Sequence, residues 1–97
     1  MVIGACRVEL ELAENYSLKG KRQIVRSVTT RLRTQFNLAV AEVDENEIWN
    51  RAVLGIACVS NDAQHAREML DKAVRFIERA RLDAEVTDSY VELFRLD

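Results

Sequence analysis

The 97-residue sequence contains no proline and only three glycines. Disordered segments and flexible linkers are usually rich in one or both of these residue types. Their scarcity predicts a chain that folds along its whole length, and that length suits a single domain, residues 1–97. Apolar residues make up 48% of the chain and charged residues 31%, the balance of an ordinary soluble globular protein.

Sequence patterns that carry catalysis are also missing. The single histidine, His65, has no second ligand at metal-binding spacing. The three glycines are isolated, so the chain has no glycine-rich phosphate loop, and no nucleophile elbow is present. We therefore expect no enzyme activity, no metal site and no cofactor. A small hydrolase of the acylphosphatase type stays open as an alternative, although residues 14–17 are acidic and glycine-free.

Long apolar runs and secretion signals are absent as well. No run approaches the ~20 apolar residues of a membrane span, and the N-terminus lacks the features of a signal peptide. We expect a cytoplasmic protein without membrane contact. Cys6 and Cys58 lie in apolar, strand-like segments, which predicts buried free thiols; a disulfide or a redox role is the alternative.

The hydrophobic periodicity alternates between the strand and helix patterns. Residues Val2–Leu12 alternate with a period of two, whereas Leu18 to about Phe36 repeats its apolar residues at helical spacing. Arg51–Ser60 is apolar on both faces, as in a central strand. The predicted order is strand 2–12, helix 18–36, strand 38–43, strand 51–60, helix from about 61 to about Arg81, and strand 86–96.

This order predicts an α+β protein of the ferredoxin-like split βαβ class (βαββαβ), with a four-stranded antiparallel sheet and two helices on one face. The first and third strands should be central. Their outward positions hold no aromatic residue, which argues against base stacking of the RNA-recognition-motif type. We expect Trp49 to close one end of the core. A small apolar patch on the open face is a candidate for self-association: Ile3, Ala5, Val53 and Val59.

Charge is unevenly distributed, although the net charge is only −2. The segment from Ser17 to Phe36 has six basic residues and no acidic one. On a helical projection, four of them fall within a window of about 60° on the side opposite Val28: Lys19, Arg22, Arg26 and Arg33. Carboxylates elsewhere in the chain could neutralise these cations, or the cations could bind a polyanion. The candidate polyanion-binding residues are Lys19, Lys21, Arg22, Arg26 and Arg33, with Lys21 at the helix entrance.

Several segments resemble the YlxP-like family of small bacterial proteins. They are Ser17-Leu18-Lys19-Gly20-Lys21-Arg22, Phe36-Asn37, Ala41-Glu42-Val43 and Gly55 to Asp62. The resemblance covers essentially the whole chain and implies a ferredoxin-like fold. The family has no established activity, and its genes often lie beside those of translation initiation factor two and ribosome-binding factor A. The resemblance thus implies a link to translation or ribosome assembly.

Together these observations predict a non-enzymatic, RNA- or ribosome-associated module that uses its basic first helix, with ribosomal RNA or the ribosome as its partner. The alternative is a protein–protein adaptor that forms a homodimer through the open sheet face and does not contact nucleic acid.

Overall fold

The computed structural model describes residues 1–80 and 83–97. It contains β1 (Val2–Glu11), α1 (Leu18–Gln35), β2 (Ala39–Asp44), β3 (Arg51–Ser60), α2 (Ala63–Arg79) and β4 (Glu85–Arg95). The predicted order of elements is confirmed, and the described strand and helix bounds lie within two residues of those predicted. The predicted end of the second helix, at about Arg81, lies outside the described residues.

The four strands form one antiparallel sheet in the order β2-β3-β1-β4. This confirms the α+β ferredoxin-like prediction and the central position of the first and third strands. β1 pairs with β3 from Val2 opposite Ser60 to Glu11 opposite Arg51. The pairing sets which residues share a face of the sheet, because side chains alternate along each strand.

The core lies between the sheet and the helices. The even-numbered residues of β1 point into it, and α1 and α2 cover it with short rows of apolar side chains. The buried cluster comprises Val2, Cys6, Val8, Leu10, Leu12, Val28, Leu32, Val40, Ala52, Leu54, Ile56, Cys58, Ala66, Leu70, Ala73 and Ile77. Each Val, Leu or Ile side chain of this cluster contributes about 1.5–3 kcal/mol by its removal from water.

Each helix is preceded by an N-cap residue whose side chain accepts a hydrogen bond from a free backbone N–H group. Ser17 Oγ accepts from Gly20 N at 3.0 Å, and Asp62 Oδ1 accepts from Gln64 N at 3.1 Å. Such caps contribute about 1 kcal/mol each. The Ser17 cap therefore fixes where α1 starts and which of its residues face solvent.

Cys6 and Cys58 are free and buried, as the sequence predicted. They point into the core from neighbouring strands, with Cys6 opposite Ile56 and Cys58 opposite Gly4. Burial raises the pKa of both thiols above the ordinary value. The two side chains therefore stay protonated at neutral pH and act as small apolar groups.

Among the described residues, neither helix combines the length and the apolarity needed to cross a membrane.

Candidate nucleic-acid interface

The exposed side of α1 carries a row of cations. Lys19, Arg22 and Arg26 are all exposed, and we call these three residues the cationic stripe. Within residues 1–80 and 83–97, none of them has a carboxylate within 4.0 Å. Helix α1 itself contains no acidic residue. The stripe therefore presents uncompensated positive charge to solvent.

Arg33 is exposed too, but its guanidinium folds back towards the sheet. Its Nη2 donates to the main-chain carbonyl of Val40 on the edge strand β2. The side chain keeps its charge and its other donors. It extends the stripe towards the C-terminal end of α1, with less freedom than the three residues before it.

Lys21 is expected from the sequence to bind a polyanion at the start of α1, but the structure places its side chain in the interior. Its side chain is only 2% exposed, and its Nζ lies 2.9 Å from Glu42 Oε2 on β2. The same Nζ donates to the carbonyls of Glu45 at 2.6 Å and Ile48 at 2.7 Å, with that of Asn46 at 3.4 Å. Lys21 is thus neutralised inside the protein, and we leave it out of the proposed interface.

The surroundings of Lys21 contain more acceptors than the ammonium has protons. Three N–H groups face four oxygens. The short contacts to the Glu45 and Ile48 carbonyls use two of these protons, and Glu42 Oε2 has no aligned hydrogen bond despite its 2.9 Å contact. The Lys21–Glu42 contact is therefore mainly electrostatic. Its structural effect is to hold the loop between β2 and β3 against the start of α1.

A signal for this burial exists in the sequence. Lys21 precedes Val28 by seven residues, which places the two side chains only about 20° apart on a helical projection. Val28 is fully buried at the centre of the apolar face of α1, so Lys21 lies on that face as well. A lysine at such a position needs a buried acidic or carbonyl partner. Sequence spacing does not identify Glu42, which lies on another element.

Gly20 and Asn15 make a second polar contact at the same end of α1. A Cβ at position 20 would overlap Asn15 Oδ1 and lie 3.1 Å from Ser17 Oγ. Asn15 is 8% exposed, and its Nδ2 donates to the carbonyls of Ser17 and Trp49. Glycine at position 20 therefore allows Asn15 to link α1 with the loop between β2 and β3.

Charge separates by layer. The two helices hold ten basic and three acidic residues, whereas the rest of the sequence holds four basic and thirteen acidic ones. Helix α2 contributes a groove of about 450 Å³ lined by Lys72, Arg75, Phe76 and Arg79. Sequence reasoning missed this second basic group, because acidic residues alternate with the cations along α2. The helical side of the molecule is thus positive, and the sheet side is negative.

Two aromatic residues lie exposed beside the start of α1. Tyr16 is 78% and Trp49 is 43% exposed, with ring centroids 5.9 Å apart and planes inclined by 34°. We call these residues the aromatic pair. The expectation that Trp49 closes the core is wrong: its backbone is held by Asn15, whereas its ring remains at the surface.

The open face of the sheet carries most of the other exposed apolar groups. The register aligns Val59, Ile3 and Phe94 in one row across β3, β1 and β4, and places Tyr90 beside Arg7. The central strands have no outward aromatic residue, as predicted, but the edge strand β4 brings two to this face. Of nine exposed large apolar side chains in the described residues, six lie on or beside the open face: Met1, Val43, Val59, Tyr90, Phe94 and Leu96.

The four predicted self-association residues share the open face but not the same exposure. Ile3 and Ala5 are half-buried and Val59 is 64% exposed, whereas Val53 is only 1% exposed. Val53 lies opposite Glu9 and Asp44, two residues that both contact or pair with Arg7. The apolar patch therefore extends towards β4 and does not include Val53.

No cluster of histidine, cysteine or carboxylate side chains suited to a metal ion occurs in the described part of the chain.

The fold and surfaces define a small ferredoxin-like protein with a basic helical layer and an uncovered sheet. A family model described as "Protein of unknown function (DUF503)" matches residues 3–91, and the chain belongs to that family. The "Uncharacterized protein YlxP" of Bacillus subtilis (strain 168) is 30% identical over 77 residues, covering 79% of this chain and 84% of the relative. This confirms the YlxP-like resemblance.

A solved structure shares the fold. The "De novo designed protein Foldit4" superimposes with a TM-score of 0.52, covering 100% of both chains at 10% sequence identity. At this identity the similarity concerns the arrangement of helices and strands alone.

Proposed function

We propose that this chain is a non-enzymatic, cytoplasmic module that binds structured RNA, with ribosomal RNA or the ribosome as its partner, through the basic surface of α1. The observation that carries the proposal is the cationic stripe, whose charges have no carboxylate partner among the described residues. Like charges on one helix face repel one another, so the free protein gains nothing from this arrangement. A polyanion would relieve the repulsion and release its own counterions.

The alignment of charges suits a phosphate backbone. Lys19, Arg22 and Arg26 lie on one side of α1, and the seven-residue separation of Lys19 and Arg26 spans about 10 Å along the helix axis. Arg33 and the groove on α2 add positive charge on the same helical layer. The acidic residues are concentrated in the sheet and loops, so an RNA would be oriented with the helices towards it.

The double variant Arg22→Glu/Arg26→Glu tests the proposal. If three phosphates are contacted, the logarithm of affinity should fall with the logarithm of salt concentration with a slope of about −2 to −3. The double variant should flatten that slope by about 1.5 and abolish sedimentation with purified ribosomal subunits at low salt. A control with the same change in charge, Arg67→Glu/Arg95→Glu, should leave the slope nearly unchanged. Failure of the wild-type chain to bind subunits or an RNA hairpin at low salt contradicts the proposal.

A second candidate function is a homodimeric adaptor that associates through the open sheet face. Contiguous exposed apolar surface of this kind commonly marks an interface. The row Val59–Ile3–Phe94, with Val43 and Tyr90 nearby, supplies the apolar centre.

Light scattering tests the adaptor. A dimer has twice the 11.1 kDa mass of the chain at micromolar concentration. Val59→Asp should return it to the monomer mass, because a charge in an apolar interface lacks a partner. Thr30→Asp, on the helical layer, should remain dimeric. A wild-type monomer at all concentrations excludes this candidate.

A further inference from the structure

We infer that the aromatic pair, Tyr16 and Trp49, is a stacking platform for an unpaired nucleobase at the N-terminal end of the cationic stripe. This inference rests on the proposed function and specifies its ligand: RNA with at least one unstacked nucleotide beside the phosphates that α1 contacts. The two central strands carry no outward aromatic residue on which a base could stack, as it does in RNA-recognition motifs. The platform lies instead where two loops meet the start of a helix.

The exposure of the rings is the first observation. The Tyr16 side chain is 78% exposed and the Trp49 side chain 43% exposed. Large aromatic side chains of globular proteins are usually more buried than this. The two ring centroids are 5.9 Å apart with planes inclined by 34°, so the rings contact each other and still leave surface open. Nucleobases stack on such surfaces with about 1–3 kcal/mol per base.

The second observation is that buried polar side chains hold the platform in place. Asn15 Nδ2 donates to the carbonyl of Trp49 and, at 2.8 Å, to that of Ser17. Lys21 Nζ donates to the carbonyls of Glu45 and Ile48 in the same loop. Two buried polar groups therefore fix the loop that carries Trp49. Preorganisation of this kind lowers the entropic cost of binding.

The third observation is continuity with the cationic stripe. Lys19 follows Tyr16 by three residues and lies in the first turn of α1, and Arg22 lies one turn further on. A base on the rings would thus have its phosphates next to the stripe. Exposed Glu14 and Glu47 are neighbours of the aromatic pair in sequence. They would repel phosphates on their side, which favours a backbone path along α1.

The ligand is single-stranded or looped RNA because a duplex hides its base faces. In A-form RNA the bases stack on each other and the major groove is too narrow for side chains. A loop, bulge or end presents a free face. The stripe alone would bind both forms, whereas the platform adds affinity only for the unpaired form.

Trp49 is the only tryptophan in the chain, and its fluorescence is the direct probe. An oligouridine of eight nucleotides should quench that fluorescence on binding at low salt, whereas an RNA duplex of equal length should bind with little quenching.

The Tyr16→Ala variant should bind oligouridine about tenfold more weakly, as measured by the fluorescence anisotropy of the labelled oligonucleotide. Its salt slope and its affinity for the duplex should be unchanged. Tyr90→Ala is the matched control, since Tyr90 is the other tyrosine, 64% exposed on the open sheet face. It should bind as wild type.

The outcomes separate the two proposals. Oligouridine that binds without quenching, and equally to wild type and Tyr16→Ala, overturns the platform but leaves the function of the stripe standing. Absence of binding to both the oligonucleotide and the duplex overturns both. Equal loss in the Tyr16→Ala and Tyr90→Ala variants also overturns the platform, because the effect would then not be local.

Discussion

Lys21→Met is expected to lower the free energy of unfolding by about 3–5 kcal/mol, the usual cost of removing one partner from a buried ion pair. Methionine fills similar space but leaves the Glu42 carboxylate without its counter-charge and the carbonyls of Glu45 and Ile48 without their donor. In a domain of this size the melting temperature should fall by at least 12 °C. Urea unfolding monitored by Trp49 fluorescence gives the free energy.

Lys19→Met is the control for this variant. Lys19 lies two residues earlier on the same helix and is exposed, so its loss should change stability by no more than about 0.5 kcal/mol. If Lys21→Met does not fold, Glu42→Gln offers a milder change that removes the negative charge and keeps an acceptor. The double variant Lys21→Met/Glu42→Leu should cost clearly less than the sum of its parts, because neither partner is left unpaired. Equal stability of the Lys21→Met and Lys19→Met proteins would contradict the buried role.

Gly20→Ala is expected to destabilise the protein by about 1–3 kcal/mol, as overpacking of a filled site does. Helix propensity alone predicts the opposite sign, since alanine is favoured over glycine inside a helix by about 1 kcal/mol. The structure reverses this because the new Cβ would overlap Asn15 Oδ1, and Asn15 cannot move away without losing its bonds to Ser17 and Trp49. The measurement is again urea unfolding at equilibrium.

Energetic coupling between positions 15 and 20 distinguishes a clash with Asn15 from a general change in helix propensity. Asn15→Ala removes the obstructing oxygen, so the double variant Asn15→Ala/Gly20→Ala should be no less stable than Asn15→Ala alone. Thr30→Ala, at an exposed position of the same helix, should raise stability by a few tenths of a kcal/mol. A Gly20→Ala protein that is more stable than wild type would show that the Asn15 contact does not restrict the site.

Both stability predictions concern the segment that carries the family resemblance. The polar and glycine residues from Ser17 to Arg22 divide into two groups in the structure. Ser17 caps the helix, Gly20 leaves room for the Asn15 side chain, and Lys21 binds β2 and the loop that follows it. Lys19 and Arg22 face solvent. The motif thus combines a structural device with two residues of the proposed interface, and helical spacing places Lys21 on the buried face and Lys19 and Arg22 on the opposite face.

Much of the fold could be predicted because it depends on local periodicity. The alternation in β1 and the helical spacing of Val28 and Leu32 reflect which side of each element avoids water. Topological rules then place β1 and β3 at the centre. These features need no knowledge of which side chain meets which across the molecule. The bounds of the elements followed for the same reason.

The sites could be predicted only in part, because they depend on contacts between distant segments. The exposure of Lys19, Arg22 and Arg26 follows from helical geometry, but the burial of Lys21 depends on Glu42 and on carbonyls of a loop more than twenty residues away. Exposure of Trp49 likewise follows from how its loop is bound at Asn15.

The sequence by itself determined the order of elements, the faces they bury and the excess of positive charge on α1, since each is set by neighbours along the chain. Only the tertiary structure decided which groups neutralise Lys21 and which aromatic rings reach the surface. That difference arises because desolvation acts on a side chain through everything packed around it, and most of those neighbours come from other elements.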